Sequence, residues 1–336
     1  MPVSPMTLLL VSTLLVLVGL PLLLGGWLLQ REPCLVLWGG KAVAVSACAL
    51  LLFYLGNWQM LSYYGRYGLL LVGVAALLVG VRRMRDAPVW RRPEGWAWAS
   101  PLLTALLGAV VMAGLVGVVR GRAVPPDPVA LQAPLRGGPY YVANGGSDPL
   151  LNPHMQVAAP RLADWRGQRW GLDIVKLYPS GNRARGLVPT ALDRYAIFGT
   201  PVYAPCAGRV HAVENDRPDP TPPTRDTTHK AGNYVLLRCA PDAYVLLAHL
   251  RQHSVRVAAG DTVAPGARLG AIGNSGNSWE PHLHLSAQRG PGGRTPLDAD
   301  PRPVVIEGRF LVRNDLLRAD APRPPTAHRR RAPSPP

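Results

Sequence analysis

The chain has 336 residues, enough for two modest domains, and carries 36 Lys and Arg against 20 Asp and Glu for a formal charge of +16. That excess is local rather than spread. One run (Arg82, Arg83, Arg85, Arg91, Arg92) lies between two apolar segments, and another (Arg318, Arg323, Arg329, Arg330, Arg331) lies in a Pro-rich C-terminus, so topology and tail composition account for it better than a nucleic-acid footprint does.

Four apolar segments follow one another from the N-terminus: Thr7–Leu29, Leu35–Leu55, Leu61–Val81 and Trp96–Val119. Each matches the ~20 residues that an α-helix needs to cross a hydrocarbon core, and only a helix satisfies its own backbone there. Trp27, Trp58, Tyr63, Tyr64, Trp96 and Trp98 fall near the ends, where amphipathic rings favour the interface. The Arg82–Arg92 loop is the strongest basic cluster between segments and is expected on the cytoplasmic side. By alternation, the N-terminus and everything after Arg120 are expected outside. The first segment lacks a basic start and a small-residue cleavage site, so it is expected to be retained. Lys41 and Arg66 are ionisable exceptions with no acidic partner inside any segment, which argues against a transport pathway. Lys41, near a segment end, is expected to snorkel to water. This places a four-helix transmembrane region at 1–122.

The Pro-rich stretch that follows (Pro125, Pro126, Pro128, Pro134, Pro139) reads as an extracytoplasmic linker over 123–150. From 151 to 310, short apolar runs alternate with Gly and Pro punctuation: Gly199-Thr-Pro-Val-Tyr-Ala, Gly208-Arg-Val-His-Ala-Val, Asn233-Tyr-Val-Leu-Leu, Tyr244-Val-Leu-Leu-Ala-His-Leu, Ala267-Arg-Leu-Gly-Ala-Ile-Gly and His282-Leu-His-Leu. This is the pattern of an antiparallel all-β domain. A Pro- and Arg-rich disordered tail is expected over 311–336. The Gly260-Asp-Thr-Val-Ala-Pro-Gly stretch also occurs in lipoyl and biotinyl carrier barrels, but no Lys sits at a hairpin tip to be modified. Cys206 and Cys239 lie in the polar half, where a disulfide and a pair of buried free thiols both fit. The polar run Asp216–Asp226 between two strands is either a groove wall or an exposed loop.

All eight His follow the apolar segments, so any imidazole chemistry sits in the second half. His282 and His284 are two apart on a strand and project from one face. His249 ends another strand, and Asp173 sits in Arg169-Trp-Gly-Leu-Asp-Ile. Three His or carboxylate ligands plus an open position are the donor set of a hydrolytic zinc site, where further His hold water and stabilise an oxyanion. His211, His229 and His253 read as surface residues, and Glu280 before Pro281 reads as a turn residue.

From about His154 to Leu285 the chain resembles the lysostaphin/LytM zinc metallopeptidases. The stretches that carry the likeness are Gly171-Leu-Asp-Ile, Phe198-Gly-Thr-Pro-Val-Tyr-Ala-Pro, Gly232-Asn-Tyr-Val, Ala248-His-Leu, Gly273-Asn-Ser-Gly-Asn-Ser and Glu280-Pro-His-Leu-His-Leu. The resemblance implies a small antiparallel β core, one Zn2+ per chain, and hydrolysis of peptidoglycan peptides. It makes Asp173 and His284 metal ligands, and His249 and His282 the catalytic pair. One position departs from the family pattern: Arg169 stands where the first ligand His is expected, and a guanidinium cannot ligate zinc. Either His154, in Leu151-Asn-Pro-His, replaces that ligand, or the domain is a catalytically silent module that binds the wall, a cell-wall amidase or a divisome-type partner. The survival of Asp173, His249, His282 and His284 favours the former, so the expected metal set is His154, Asp173 and His284.

Overall fold

The computed structural model describes residues 5–319. Four of its helices are long and apolar enough to cross a membrane: α1 (Met6–Leu28), α2 (Leu35–Leu55), α3 (Gly65–Met84) and α4 (Ala99–Arg120). A π-helical turn at Leu15–Gly19 interrupts the first. Their outward-facing side chains include exposed leucines and valines such as Leu22, Leu23, Leu71 and Val72. Between helices, Leu17, Cys48, Leu52, Trp58 and Val111 form one buried cluster.

Lys41 does not snorkel. It is fully buried, ion-paired with Glu32 in the α1–α2 connection, and donates to the Trp27 carbonyl (3.1 Å). Glu32 also accepts from Ser100 Oγ at 2.6 Å, so the pair ties three helix ends together. A buried charge persists only when paired and hydrogen-bonded, and that need overrides the tendency of a long side chain to reach water.

The strands are β1 (Val129–Leu131), β2 (Gly137–Asn144), β3 (Leu172–Lys176), β4 (Pro201–Tyr203), β5 (Gly208–Glu214), β6 (Asn233–Ala240), β7 (Ala243–Leu250), β8 (Thr262–Val263), β9 (Arg268–Ala271), β10 (Leu283–Gln288), β11 (Pro301–Arg302), β12 (Val304–Ile306) and β13 (Leu316–Ala319). The main antiparallel sheet runs β13-β2-β3-β10-β7-β6-β5-β8, with β11 on β10; β4 pairs with β9, and β1 lies parallel to β12. The alternation expected of half-polar strands is replaced at the centre by full burial: every residue of β7 and of β10 is buried. Both faces are covered. Leu172, Ile174, Val245, Leu247, Leu283 and Leu285 enter the main core on one face, while Leu246, Ala248 and Leu297 form a smaller cluster on the other. Cys206 and Cys239 are joined by a disulfide.

Two boundaries differ from the sequence expectation. The stretch 123–150 is not a free linker: β1 and β2 lie inside it, and Tyr140, Tyr141 and Val142 are fully buried. The stretch 311–336 is not tail throughout: Leu311, Val312 and Leu317 are buried and β13 pairs with β2, with Leu316 opposite Tyr141. The reason in both cases is pairing between segments far apart in sequence, which local Pro content does not report. The expectation for 320–336 lies outside the described residues.

Candidate metal centre and catalytic groove

The sheet register brings the predicted residues together. Asp173 lies directly opposite His284 across the β3–β10 pair, and Leu172, Ile174, Leu283 and Leu285 on either side of them point into the core. Asp173 and His284 therefore share the opposite face. His284 Nδ1 donates to Asp173 Oδ1 (2.9 Å), and His282, two residues earlier on the same face, brings Nε2 to 3.4 Å from the same oxygen.

His249 arrives differently. Simple alternation along β7 would send it into the core with Val245 and Leu247. Its φ of +63°, rare for a side chain with a Cβ, breaks the pleat and turns the ring to the His face. The His249 and His282 rings are then 4.7 Å apart, and His249 and His284 5.9 Å. The turn is held by backbone bonds: His249 N donates to Ala231 O (3.1 Å), and Gly273 N donates to His249 O (2.9 Å).

His154 comes from a short 3-10 helix, Pro153–Ala158. Asn152 caps it, Oδ1 accepting from His154 N (3.1 Å) while Nδ2 donates to Gly146 O and Gly171 O (both 3.1 Å). Asn152 is fully buried, so the Asn-Pro-His triplet is pinned at both ends of the amide. This delivers His154 Nε2 to 3.0 Å from Asp173 Oδ2. Arg169, by contrast, lies over the Trp170 ring with its guanidinium 5.2 Å from the centroid, and it is not one of the groove's lining residues.

One donor atom from each of His154, Asp173 and His284 lies within 4.8 Å of the others. The carboxylate can only accept, so His284 Nδ1 carries the hydrogen and Nε2 offers a lone pair. That atom is buried and has no hydrogen-bond partner among the described residues. An orphaned imidazole nitrogen beside a carboxylate and a second imidazole fits a divalent zinc ion. Gly171 serves this packing: a Cβ there would stand 2.7 Å from His284 Cε1.

The electrostatics agree with the geometry. Burial opposes ionisation of Asp173, but the neighbouring His154 and His282 outweigh it and hold the carboxyl well below the usual carboxylate range. Burial, followed by the charges of His282 and His284, holds His249 well below the ordinary imidazole value. Burial also lowers His284. His282 is raised, because Asp173 and the Glu280 carbonyl overcome its burial.

Several contributors carried no motif. Asn144 faces Asp173 because a bulge in β2 shifts the register between Val142 and Asn144, and its Nδ2 donates to Asp173 Oδ2 (2.8 Å). Arg313 donates to Asn144 Oδ1 (2.6 Å) and to Asn57 Oδ1 (2.7 Å) in the α2–α3 connection. Glu280 is more than a turn residue: its carboxylate pairs with buried Arg183, and its carbonyl accepts from His282 Nδ1 (2.8 Å). The groove has a volume of about 360 Å3, walled by Trp165, Trp279 and Arg225. Arg225 stacks on Trp279 at 3.8 Å, and Asp219 of the same insertion accepts from Asn274 N (2.6 Å), so the Asp216–Asp226 run is a groove wall. His229 and His253 do not line the groove and pair with Asp226 and Asp216, and His211 packs edge-on against Tyr244.

Partners behind a ligand carboxylate orient it, and their loss typically weakens metal binding ~10–100-fold. Arg313→Ala, which leaves Asn144 unsupported, is expected to weaken zinc binding by at least ~10-fold on this basis, read by competition with a zinc-sensitive chelating dye. Unchanged affinity would show that Asn144 holds Asp173 without it.

Residues 189–298 match the model of Peptidase family M23. The matched stretch contains His249, His282 and His284; His154 and Asp173 precede it. An uncharacterized metalloprotease of Haemophilus influenzae is 37% identical over 86 residues, which cover 26% of this chain and 15% of that protein. The chain thus spans less than a sixth of that relative's length. Similar solved structures include the catalytic domain of a prophage-encoded M23 protein of Enterococcus faecalis (23% identity, TM-score 0.26, 38% of this chain and 74% of that one). A putative M23 peptidase of Pseudomonas aeruginosa (19%, 0.28, 59% of each) and lysostaphin of Staphylococcus simulans (20%, 0.25, 39% of each) are others. Behind its four apolar helices, the chain carries a domain that matches peptidase family M23 over residues 189–298.

Proposed function

We propose that the protein is a membrane-anchored zinc metalloendopeptidase that hydrolyses peptide bonds of peptidoglycan outside the cytoplasmic membrane. The observation that carries the reading is the meeting of His154, Asp173 and His284 with His249 and His282 in one groove, with His284 Nε2 buried and unpartnered.

His154, Asp173 and His284 would hold the zinc, which when bound polarises a carbonyl and acidifies water. The other two imidazoles handle protons. Nδ1 of His249 is 2.8 Å from the Ser275 carbonyl, and Nδ1 of His282 is 2.8 Å from the Glu280 carbonyl. A carbonyl oxygen only accepts, so Nδ1 carries the hydrogen in both rings and each Nε2 is left for the groove. His249 is held neutral, and its Nε2 accepts a proton from the attacking water. His282, whose hold on a second proton Asp173 and the Glu280 carbonyl strengthen, carries that hydrogen on Nε2 when protonated and donates it to the oxygen of the scissile peptide as charge builds there.

The four helices hold the domain at the membrane, with the Arg82–Arg92 loop on the cytoplasmic side and the β domain outside. Among the described residues, helix ends meet the β domain through the α2–α3 connection, the C-terminal ends of α2 and α4, and the first turns of α1 and α3, which this topology puts on the outer side together.

The test is elemental analysis joined to a cleavage assay on the full chain purified in detergent. About one zinc per chain is expected, with cleavage of cross-linked peptidoglycan that a chelator stops and added zinc restores. A protein that takes up no zinc after reconstitution would sink the reading.

A further inference from the structure

The groove does not hang from a tether. A free Pro-rich segment of the length of 123–150 would reach roughly 80 Å, enough to carry a domain well away from the bilayer. Here β1 and β2 tie that length into the fold, and the β domain is seated directly on the helix ends. Val118 of α4 and Tyr54 of α2 pack against Leu151 and Val312 of the domain. The α2–α3 connection is bonded to it as well: Tyr63 N donates to Gly181 O (2.8 Å) and Arg183 N to Gln59 O (3.0 Å). At the next turn, Asn314 Nδ2 donates to Tyr54 O (2.6 Å), and buried Arg66 donates to Asn314 O (3.3 Å).

The same contacts fix where the groove lies. Beyond His249 and His284 its lining continues to Gln59 and then to Met6 and Leu9, which begin the first membrane-length helix. Asp173 and Val175 share one face of β3, and Val175 packs in the cluster that contains Tyr63. The catalytic face of the sheet is therefore continuous with the outer ends of the spanning helices. With those helices across a bilayer, a groove walled by the first turns of a span opens at the height of the lipid headgroups, and the bonds to the helix ends hold it there.

Resting on the peptidase reading above, we infer that the substrate is peptidoglycan peptide held at the bilayer surface, on glycan strands still attached to their lipid carrier, rather than peptide of the mature wall. A strand anchored in the same membrane brings its peptides to the groove by diffusion in two dimensions. A released strand or a finished wall has to approach from solution, at a far lower effective concentration.

The experiment uses the full chain in vesicles of phosphatidylethanolamine and phosphatidylglycerol. Cross-linked nascent strands are polymerised on lipid carrier in those vesicles, and the same strands are also prepared with the lipid cleaved off. Purified sacculi form the third arm. Release of peptide fragments is expected at least ten times faster from the anchored strands than from the released strands or the sacculi at equal peptide concentration. Equal or faster cleavage of released strands or sacculi would overturn the inference and leave the peptidase intact. Cleavage of anchored strands that is just as fast when they sit in separate vesicles would overturn it too. No cleavage in any arm would remove the peptidase reading and this inference with it.

Discussion

His249→Ala is expected to lower kcat/KM on cross-linked peptidoglycan by about 10³-fold while the zinc content stays at the wild-type value. Such a loss is about 4 kcal/mol of transition-state stabilisation, the size associated with a positioned proton carrier or a developing-charge donor. Zinc should be unaffected because the ring is hydrogen-bonded to the Ser275 carbonyl, and among the described residues the groups that can hold metal are His154, Asp173 and His284. His249→Gln separates the roles, since its amide can donate to Ser275 but takes up no proton; it should be as inactive as the alanine variant. Steady-state kinetics and elemental analysis on the same preparations decide the matter. Activity within tenfold of wild type in either variant would remove His249 from proton transfer, and loss of zinc would move it into the metal set.

His154→Ala should abolish stable zinc binding. Loss of a direct ligand is expected to exceed the ~10–100-fold penalty of losing an outer partner. The same change withdraws a group that helps keep Asp173 ionised, so the remaining carboxylate becomes a poorer donor. Arg169→Ala is the paired control. Arg169 occupies the place where the family pattern has its first His, yet it packs over Trp170, and its removal should leave zinc in place. Zinc retained in His154→Ala would refute the replacement. Zinc lost in both variants would point instead to a general collapse around β3, which far-ultraviolet circular dichroism would register.

What was legible in the sequence was what repeats over a few residues. Hydropathy over some twenty residues marked the four helices, and the period of two put His282 and His284 on one face and separated Asp173 from Leu172 and Ile174. His154 was reachable through its Asn-Pro-His context, because capping is a local interaction. His249 was named as a site residue, but alternation pointed it into the core; the reversal depends on Ala231 and Gly273 gripping its backbone from other segments. Asn144 was invisible because it depends on a bulge, and a bulge is a property of a pair of strands.

The stretch 123–150 shows the limit most clearly. Its prolines argued for a free linker, although Tyr140-Tyr141-Val142-Ala143 between Gly-Gly-Pro and Asn-Gly-Gly carried a strand signal that could have been read. The strand is secured by partners as far off as Leu316 and Leu317, and pairing over such separations has no local signature. By itself the sequence determined the kinds of element and named the candidate residues that meet in the groove, because both rest on residue type and short spacing. Only the tertiary structure decided that His154 meets Asp173 and His284, that two arginines join the site to the α2–α3 connection, and that the groove ends against the first long apolar helix. Those facts depend on surfaces remote in sequence becoming buried against one another, and the burial energy that joins them exists only once the chain is folded.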